Sequence, residues 1–239
     1  MKYNIAAFLH AGTQRKINQD RVLIQDSIYD EGIHCVSEAE DCFCFVADGI
    51  GGCPSGEFAA QFILEQLREK IKKEDKYVKE NLSKILKSIN TELITFGRSN
   101  PDYHGTGTTL VGIIVQKDKF QVVNAGDSQA FVFRNNTMIK LTEDQVLDSF
   151  EDNSPITSYF GGKTDNLCLD FDTVLRNILI GDILLLTSDG LFKSLTIKQV
   201  KAILSNSKPL IDKAQFILQK ALDTGAEDNL GSVLIEVID

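Results

Sequence analysis

The chain has 239 residues, of which 43% are apolar and 25% charged. This globular balance can bury a sizeable core without disulfide or metal staples, and it excludes the disordered class. A formal net charge of −9 and a pI of about 4.9 work against nucleic acid or anionic membrane as a general partner. Any phosphate site must therefore gather positive charge locally, from metals or from a particular Arg.

The opening stretch, Met1–Ala11, has a brief apolar segment broken by Asn4 and His10. It is too short for a secretory or membrane segment, and no later run reaches spanning length. The cysteines, Cys35, Cys42, Cys44, Cys53 and Cys168, are odd in number. They are expected to be reduced thiols in a cytoplasmic protein.

In chain order, Asn4–His10 and Arg21–Asp26 read as strands, and Asp41–Asp48 (DCFCFVAD) is the first strong strand signal. Cys53–Pro54–Ser55 opens a helix with Ser55 as N-cap, and Glu57–Lys73 carries Phe58, Phe62, Ile63, Leu67 and Ile71 at helical spacing. A second helix covers Val78–Phe96, with Leu82, Ile85, Leu86, Ile89 and Leu93 on one face. Strands return at Thr108–Gln116, Phe120–Asn124 and Ala130–Arg134, with turn signals at Lys117–Asp118 and Gly126–Asp127. After a polar stretch, Thr142–Ser154, two more strands are expected at Leu175–Ile180 and Asp182–Thr187. Helices follow at Thr196–Ser205 and Ile211–Leu222, the latter stopped by Gly225, and Leu230–Val237 closes as a strand. Strands thus surround two helical pairs with little β-α-β alternation. That favours an α+β layered fold with antiparallel sheets, read as one domain over residues 1–239.

Four aspartates share one context. Asp48, Asp127, Asp189 and Asp228 each sit where an apolar strand meets a turn. Taken singly, each is an ordinary turn residue. Strand ends in a layered domain can converge, however, and carboxylates about 4 Å apart repel by ~4 kcal/mol at an effective dielectric of 20. Hard divalent cations with oxygen ligands, Mg²⁺ or Mn²⁺, resolve such a cluster.

These residues lie in segments that resemble the metal-dependent protein phosphatases of the type 2C group. Arg15–Asp20 (RKINQD), Phe45–Gly52 (FVADGIGG), Gly107–Thr109, Asn124–Ser128 (NAGDS), Leu141–Gln145 (LTEDQ), Ser188–Phe192 (SDGLF) and Asp228–Asn229 occur in that family's order and span nearly the whole chain. The resemblance implies a four-layer α-β-β-α sandwich of two antiparallel sheets flanked by helix pairs. It implies hydrolysis of phosphoserine and phosphothreonine in proteins, the targets of a serine/threonine kinase. It also implies two Mn²⁺ or Mg²⁺ ions and a metal-activated water attacking phosphorus in line, without a phosphoenzyme. Position by position, Asp48 would bridge the ions, with the Gly49 carbonyl on one, and Asp189 and Asp228 would hold the other. Asp20 would support the centre, and Arg15 would grip the substrate phosphate with its planar fork. Asp127 would contribute to a third, weaker ion.

Several positions depart from the pattern. Gln19 stands where many members have Glu, Ile50 where many have His, and Gln129 where an Arg is common. Lys193 replaces an Asp that often helps bind the third ion, so that site is expected to be weak or vacant, with Lys193 neutralising Asp127. The stretch between Gln145 and Gly161 is shorter than the flap of many bacterial members. Two rivals follow: a non-catalytic docking or sensing module on the same fold, and a phosphatase of small phosphorylated molecules.

Other signals read blandly. His34–Cys35 has Asp41 where a cysteine-dependent phosphatase needs an Arg. Cys42 and Cys44 share a strand face and are expected as core thiols, not zinc ligands. His10 and His104 have no visible partner. Gly105–Thr106–Gly107 leads into a strand and so is not a nucleotide-phosphate loop. The basic run Arg68–Lys73 is expected to be a solvated helix face.

Overall fold

The computed structural model describes residues 1–40, 42–51, 53, 55–71, 79–116, 119–148, 154–165, 167–168, 170–171 and 176–239. Asp41, Gly52, Pro54, Lys72, Lys73, Val78, the Lys117–Asp118 turn, Leu175 and part of the polar stretch after Gln145 lie outside them. The elements run β1 (Tyr3–His10), β2 (Asp20–Ile24), β3 (Ser27–Tyr29), β4 (Gly32–Ala39), β5 (Cys42–Asp48), α1 (Gly56–Ile71) and α2 (Lys79–Ser99). Then come β6 (Gly107–Thr108), β7 (Leu110–Gln116), β8 (Lys119–Ala125), β9 (Gln129–Arg134), β10 (Thr137–Lys140), β11 (Phe160–Gly161), β12 (Asp170–Phe171) and β13 (Arg176–Asn177). The chain finishes with β14 (Ile183–Thr187), α3 (Gly190–Ser194), α4 (Ile197–Leu204), α5 (Leu210–Asp223) and β15 (Leu230–Val237).

The fold is the four-layer α+β sandwich. One antiparallel sheet has the order β10-β9-β14-β15-β1-β4, and the other β12-β8-β7-β5-β2-β3, with β13 also on β8. Strand alternation explains the layers. On β1, Ile5, Ala7 and Leu9 face the opposing sheet, while Ala6 and Phe8 face helices α3–α5. On β5, Cys42, Cys44 and Val46 enter the inter-sheet core, while Phe43, Phe45 and Ala47 pack beneath α1 and α2. Both sheet faces are covered, so the central strands are apolar on both sides instead of alternating with polar residues. Among the described residues no helix is long and apolar enough to cross a membrane.

The helix ends follow local chemistry. Thr196 caps α4 in a capping box with Gln199. At the end of α5, Gly225 has φ +89 and its N–H donates to the Leu222 carbonyl. Ser55 precedes α1 at φ +50, and its carbonyl accepts from the Phe58 N–H at 3.0 Å.

The strand expectations need correction in several places. β3 and β4 are absent from the sequence reading, as is β10. β4 and β10 are edge strands with mostly exposed side chains, so neither carries an apolar period. Of the strand expected over Leu175–Ile180, the described residues 176–180 are strand only at Arg176–Asn177. Leu179 and Ile180 are exposed in a turn closed by Asp182, whose N–H donates to the Leu179 carbonyl and whose Oδ2 accepts from the Leu179 N–H. Asp182 is itself buried, and Arg134 Nε donates to its Oδ1 at 2.7 Å.

Candidate active site

The register brings the acidic strand ends together. Thr187 pairs with Ser232 on one side and with Gln129 on the other. The chain therefore leaves β14 towards Asp189 at the same sheet end where Asp228 leads into β15 and Asp127 leads into β9. On the other sheet Asp20 pairs directly with Asp48. A cleft of ≈ 270 Å³ is lined by Arg15, Asp48, Gly49, Asp127, Asp189, Lys193 and Asp228 among others. It adjoins a larger depression of ≈ 1030 Å³ that shares Arg15, Asp127, Asp189, Lys193 and Asp228. Of the site residues assigned from the sequence, Arg15, Asp48, Gly49, Asp127, Asp189 and Asp228 line this cleft, and Asp20 is fully buried.

Asp20 is held from two directions. Its N–H donates to Asn18 Oδ1 at 3.1 Å, and Ser188 Oγ donates to its Oδ2 at 2.7 Å. Gly231 lets the carboxylate lie close, because a Cβ there would meet Asp20 Oδ2 at 2.8 Å. The Asp48–Gly49 corner is equally tight: a Cβ on Gly49 would fall 2.4 Å from the Gly56 carbonyl carbon at the start of α1. Asp48 offers its carbonyl to the Thr109 N–H at 2.9 Å and to Thr108 Oγ1 at 2.8 Å, which fixes the strand end.

Asn229 organises the loop that carries Arg15. Its Oδ1 accepts from the Gln19 N–H at 2.9 Å, and its Nδ2 donates to the carbonyls of Ala11 and Ile17 at 2.9 and 3.0 Å. Sequence reasoning gave no role to Asn229 or Ser188. The available signal was their adjacency to Asp228 and Asp189. Gln19 Nε2 donates to Glu57 Oε2 at 3.0 Å, and Gln129 Nε2 donates to Asp144 Oδ2 at 3.1 Å. Both departures from the family pattern thus make local polar contacts at the rim.

Arg15 is paired with Asp228 Oδ1 at 3.0 Å. Lys193, expected beside Asp127, instead stands 2.6 Å from Asp189 Oδ2 and 3.0 Å from Asp228 Oδ2. The reason is helical: Lys193 lies four residues after Asp189, the N-cap of α3, so its side chain folds back over that carboxylate.

The electrostatics follow from this crowding. Burial pushes Asp20 up to about 7, opposed by the Ser188 hydroxyl and reinforced by the charge on Asp189. Burial, then the charges of Asp20 and Asp189, push Asp48 well above the usual carboxylate range. Burial and the Asp189 charge push Asp127 up to about 7. Burial also raises Asp189, against the pull of Lys193. Burial alone would raise Asp228, but Lys193, the Asn229 N–H and Arg15 outweigh it and hold that carboxyl below its ordinary value. Lys193 is held above the usual lysine range: burial lowers it, and Asp189 and Asp228 more than offset that.

Two buried carboxylate oxygens, Asp20 Oδ1 and Asp127 Oδ1, have no hydrogen-bond partner. Orphaned acceptors beside mutually repelling carboxylates suit a hard divalent cation. Among the described residues, no group of three or more Asp, Glu, His or Cys side chains is placed to hold a metal ion as the side chains now stand. The Lys193 ammonium bridges two of these acids, Asp189 and Asp228. The thiols play no part in this cleft: Cys42 and Cys44 are buried in the inter-sheet core. His10 accepts from the Gly12 N–H at 2.9 Å, His104 is exposed, and His34 stacks on Tyr29. In the basic run, Lys70 pairs with Glu92 at 2.6 Å.

Comparison with known proteins gives a consistent picture. The family model described as protein phosphatase 2C matches residues 13–234. The serine/threonine phosphatase stp of Listeria welshimeri serovar 6b is 29% identical over 91% of this chain and 93% of its own length. Among solved structures, serine/threonine phosphatase Stp1 from Staphylococcus aureus superposes with a TM-score of 0.85 at 24% identity, covering 98% of this chain and 95% of that one. The catalytic domain of the serine/threonine protein phosphatase PstP, solved in complex with two manganese ions, gives a TM-score of 0.80 at 24% identity. It covers 100% of this chain and 99% of that one.

Proposed function

We propose, from the premise that this chain belongs to the protein phosphatase 2C family, that the cleft of Asp20, Asp48 and Asp228 is its catalytic centre and that the whole of residues 1–239 serves as one catalytic domain. The chain is a serine/threonine protein phosphatase, a phosphoric monoester hydrolase. Its substrates on this reading are phosphorylated proteins, the products of a serine/threonine kinase, and its setting is cytoplasmic signalling. The net charge of −9 supports neither nucleic acid nor an anionic membrane as a partner.

The observation that carries the metal reading is the pair of orphaned oxygens, Asp20 Oδ1 and Asp127 Oδ1, among mutually repelling acids. The two manganese ions of the PstP catalytic domain support it. Asp48, the Gly49 carbonyl, Asp189 and Asp228 would hold two Mn²⁺ or Mg²⁺ ions, with Asp20 in support and Asp127 serving a weak third position. When bound, such ions supply Lewis acidity that activates water at neutral pH and offsets charge on the transferring phosphoryl group.

The chain's own residues do the rest. Arg15 is half exposed at the cleft mouth and can exchange its pairing with Asp228 for bidentate contacts to phosphate oxygens. Asn229 holds the backbone on both sides of Arg15, so the guanidinium is presented from a fixed loop. Ser188 orients Asp20, and the Asp20–Asp48 register sets the spacing of the two central carboxylates. Ile50 lines the cleft where many members have His, and no imidazole is among the lining side chains described.

The test is phosphate release from phosphothreonine peptides by chelator-stripped protein, with and without Mn²⁺. The reading expects turnover on adding Mn²⁺, loss of turnover on adding EDTA, and little activity on small phosphorylated metabolites. Full turnover in excess EDTA would refute it. Absence of turnover under every condition would favour a docking module.

A further inference from the structure

We propose that Lys193 is a resident ammonium counter-ion seated between Asp189 and Asp228, and that a divalent cation enters by displacing it. The inference rests on the metal reading above and concerns how readily the seat fills.

The geometry is specific. Lys193 Nζ reaches Asp189 Oδ2 at 2.6 Å and Asp228 Oδ2 at 3.0 Å, so one ammonium satisfies an oxygen on each acid. The other oxygen of Asp228 is also engaged, by Arg15 at 3.0 Å and by the Asn229 N–H at 3.0 Å. Asp228 is thus fully partnered without a metal. Asp189 has the same ammonium on one oxygen and the helix α3 that begins after it on its flank. Asp20 and Asp127 differ, each keeping a buried oxygen with no partner. The site is therefore divided. Its inner acids each keep an oxygen without a hydrogen-bond partner, and its outer acids already hold an ammonium.

Position explains why the ammonium stays. Lys193 is tied into α3, where its N–H donates to the Asp189 carbonyl at 3.1 Å, so its stem starts above the acid it binds. A divalent ion competing for the same oxygens meets a fixed cation whose repulsion is twice that between unit charges at equal distance. The ammonium must then swing outward, which its 43% side-chain exposure permits. The consequence has two parts. Metal uptake at the Asp189/Asp228 seat is weaker than the acids alone would give. In return the metal-free chain keeps a positive charge between these two carboxylates, which lessens their repulsion.

The experiment titrates Mn²⁺ into chelator-stripped full-length protein and reads free Mn²⁺ by its electron paramagnetic resonance signal. Thermal melting of the metal-free protein is followed in parallel. Lys193→Met removes the charge and keeps the stem; Lys193→Arg keeps a cation. Lys193→Met should bind Mn²⁺ more tightly by ~10-fold or more and should melt earlier without metal, while Lys193→Arg should resemble the parent in both. If Lys193→Met does not fold, Lys193→Gln serves the same comparison. Equal or weaker Mn²⁺ affinity in the uncharged variant overturns the counter-ion role alone. Failure of both parent and variant to take up Mn²⁺ at millimolar concentration overturns the metal reading as well.

Discussion

Ser188 Oγ donates to Asp20 Oδ2 across 2.7 Å, joining residues 168 positions apart in the chain. One sheet thereby holds the central acid of the other. Ser188→Ala removes the donor and leaves a buried carboxylate oxygen unsatisfied. Mn²⁺ affinity should fall ~10-fold or more, as for other partners that orient metal ligands. Stability should fall by about 1–3 kcal/mol. Metal titration and urea melts check both. Unchanged values in both would show that the hydroxyl is incidental.

Asp20 also makes the metal-free protein sensitive to pH. Its carboxyl titrates near 3.8 when unfolded and at about 7 when folded. The folded state therefore keeps a proton that the unfolded state has lost. The stability this gives is complete below 3.8 and disappears as pH rises through about 7. In EDTA, melting temperature should decline over that window, and Asp20→Asn should flatten the decline. Parallel pH profiles for parent and variant would contradict the assignment.

Much of this was legible in the sequence because the strands are strongly apolar. Leu230–Val237 reads as a strand with the bounds it has in the structure, and each acid stands visibly where such a strand stops. Edge strands were not legible. β4 carries His34, Ser37 and Glu38 with much of its length exposed, so nothing in its pattern distinguishes it from a loop. Nor could spacing give the partners of Ser188 and Asn229 or the contact of Lys193 with Asp228, because each joins segments far apart in the chain. The expected influence of Lys193 on Asp127 is present as a charge effect, but the direct contacts of the ammonium are to Asp189 and Asp228, because α3 begins after Asp189 and the i,i+4 geometry turns it towards that acid.

Arg15 should act on substrate and not on metal. Arg15→Ala is expected to raise KM with Mn²⁺ affinity largely kept, and Arg15→Lys to rescue only in part, since an ammonium lacks the planar fork. Steady-state kinetics on a phosphothreonine peptide decide this. An unchanged KM and kcat in Arg15→Ala would remove Arg15 from the site.

Two substitutions separate stability from function. Asp182 is buried against Arg134 on the far side of β14 from the cleft, so Arg134→Ala strands a buried carboxylate. A loss of about 3 kcal/mol is expected, with Mn²⁺ affinity unaffected. Asn229→Ala leaves one N–H and two carbonyls of the Arg15 loop unpartnered. It should cost about 2 kcal/mol or more and raise KM as well, because the loop that presents Arg15 loosens. Urea denaturation beside peptide kinetics distinguishes the two patterns, and an unchanged KM in Asn229→Ala would deny the loop its role.

The most direct measurement is anomalous diffraction at the manganese edge from crystals soaked in millimolar Mn²⁺. The account predicts two strong manganese peaks in the cleft, in contact with Asp48, the Gly49 carbonyl, Asp189 and Asp228. It predicts the Lys193 ammonium displaced from its present contacts at 2.6 and 3.0 Å, and a weak peak or none at Asp127. Manganese absent from the cleft in such crystals, or bound away from these four residues, would contradict it.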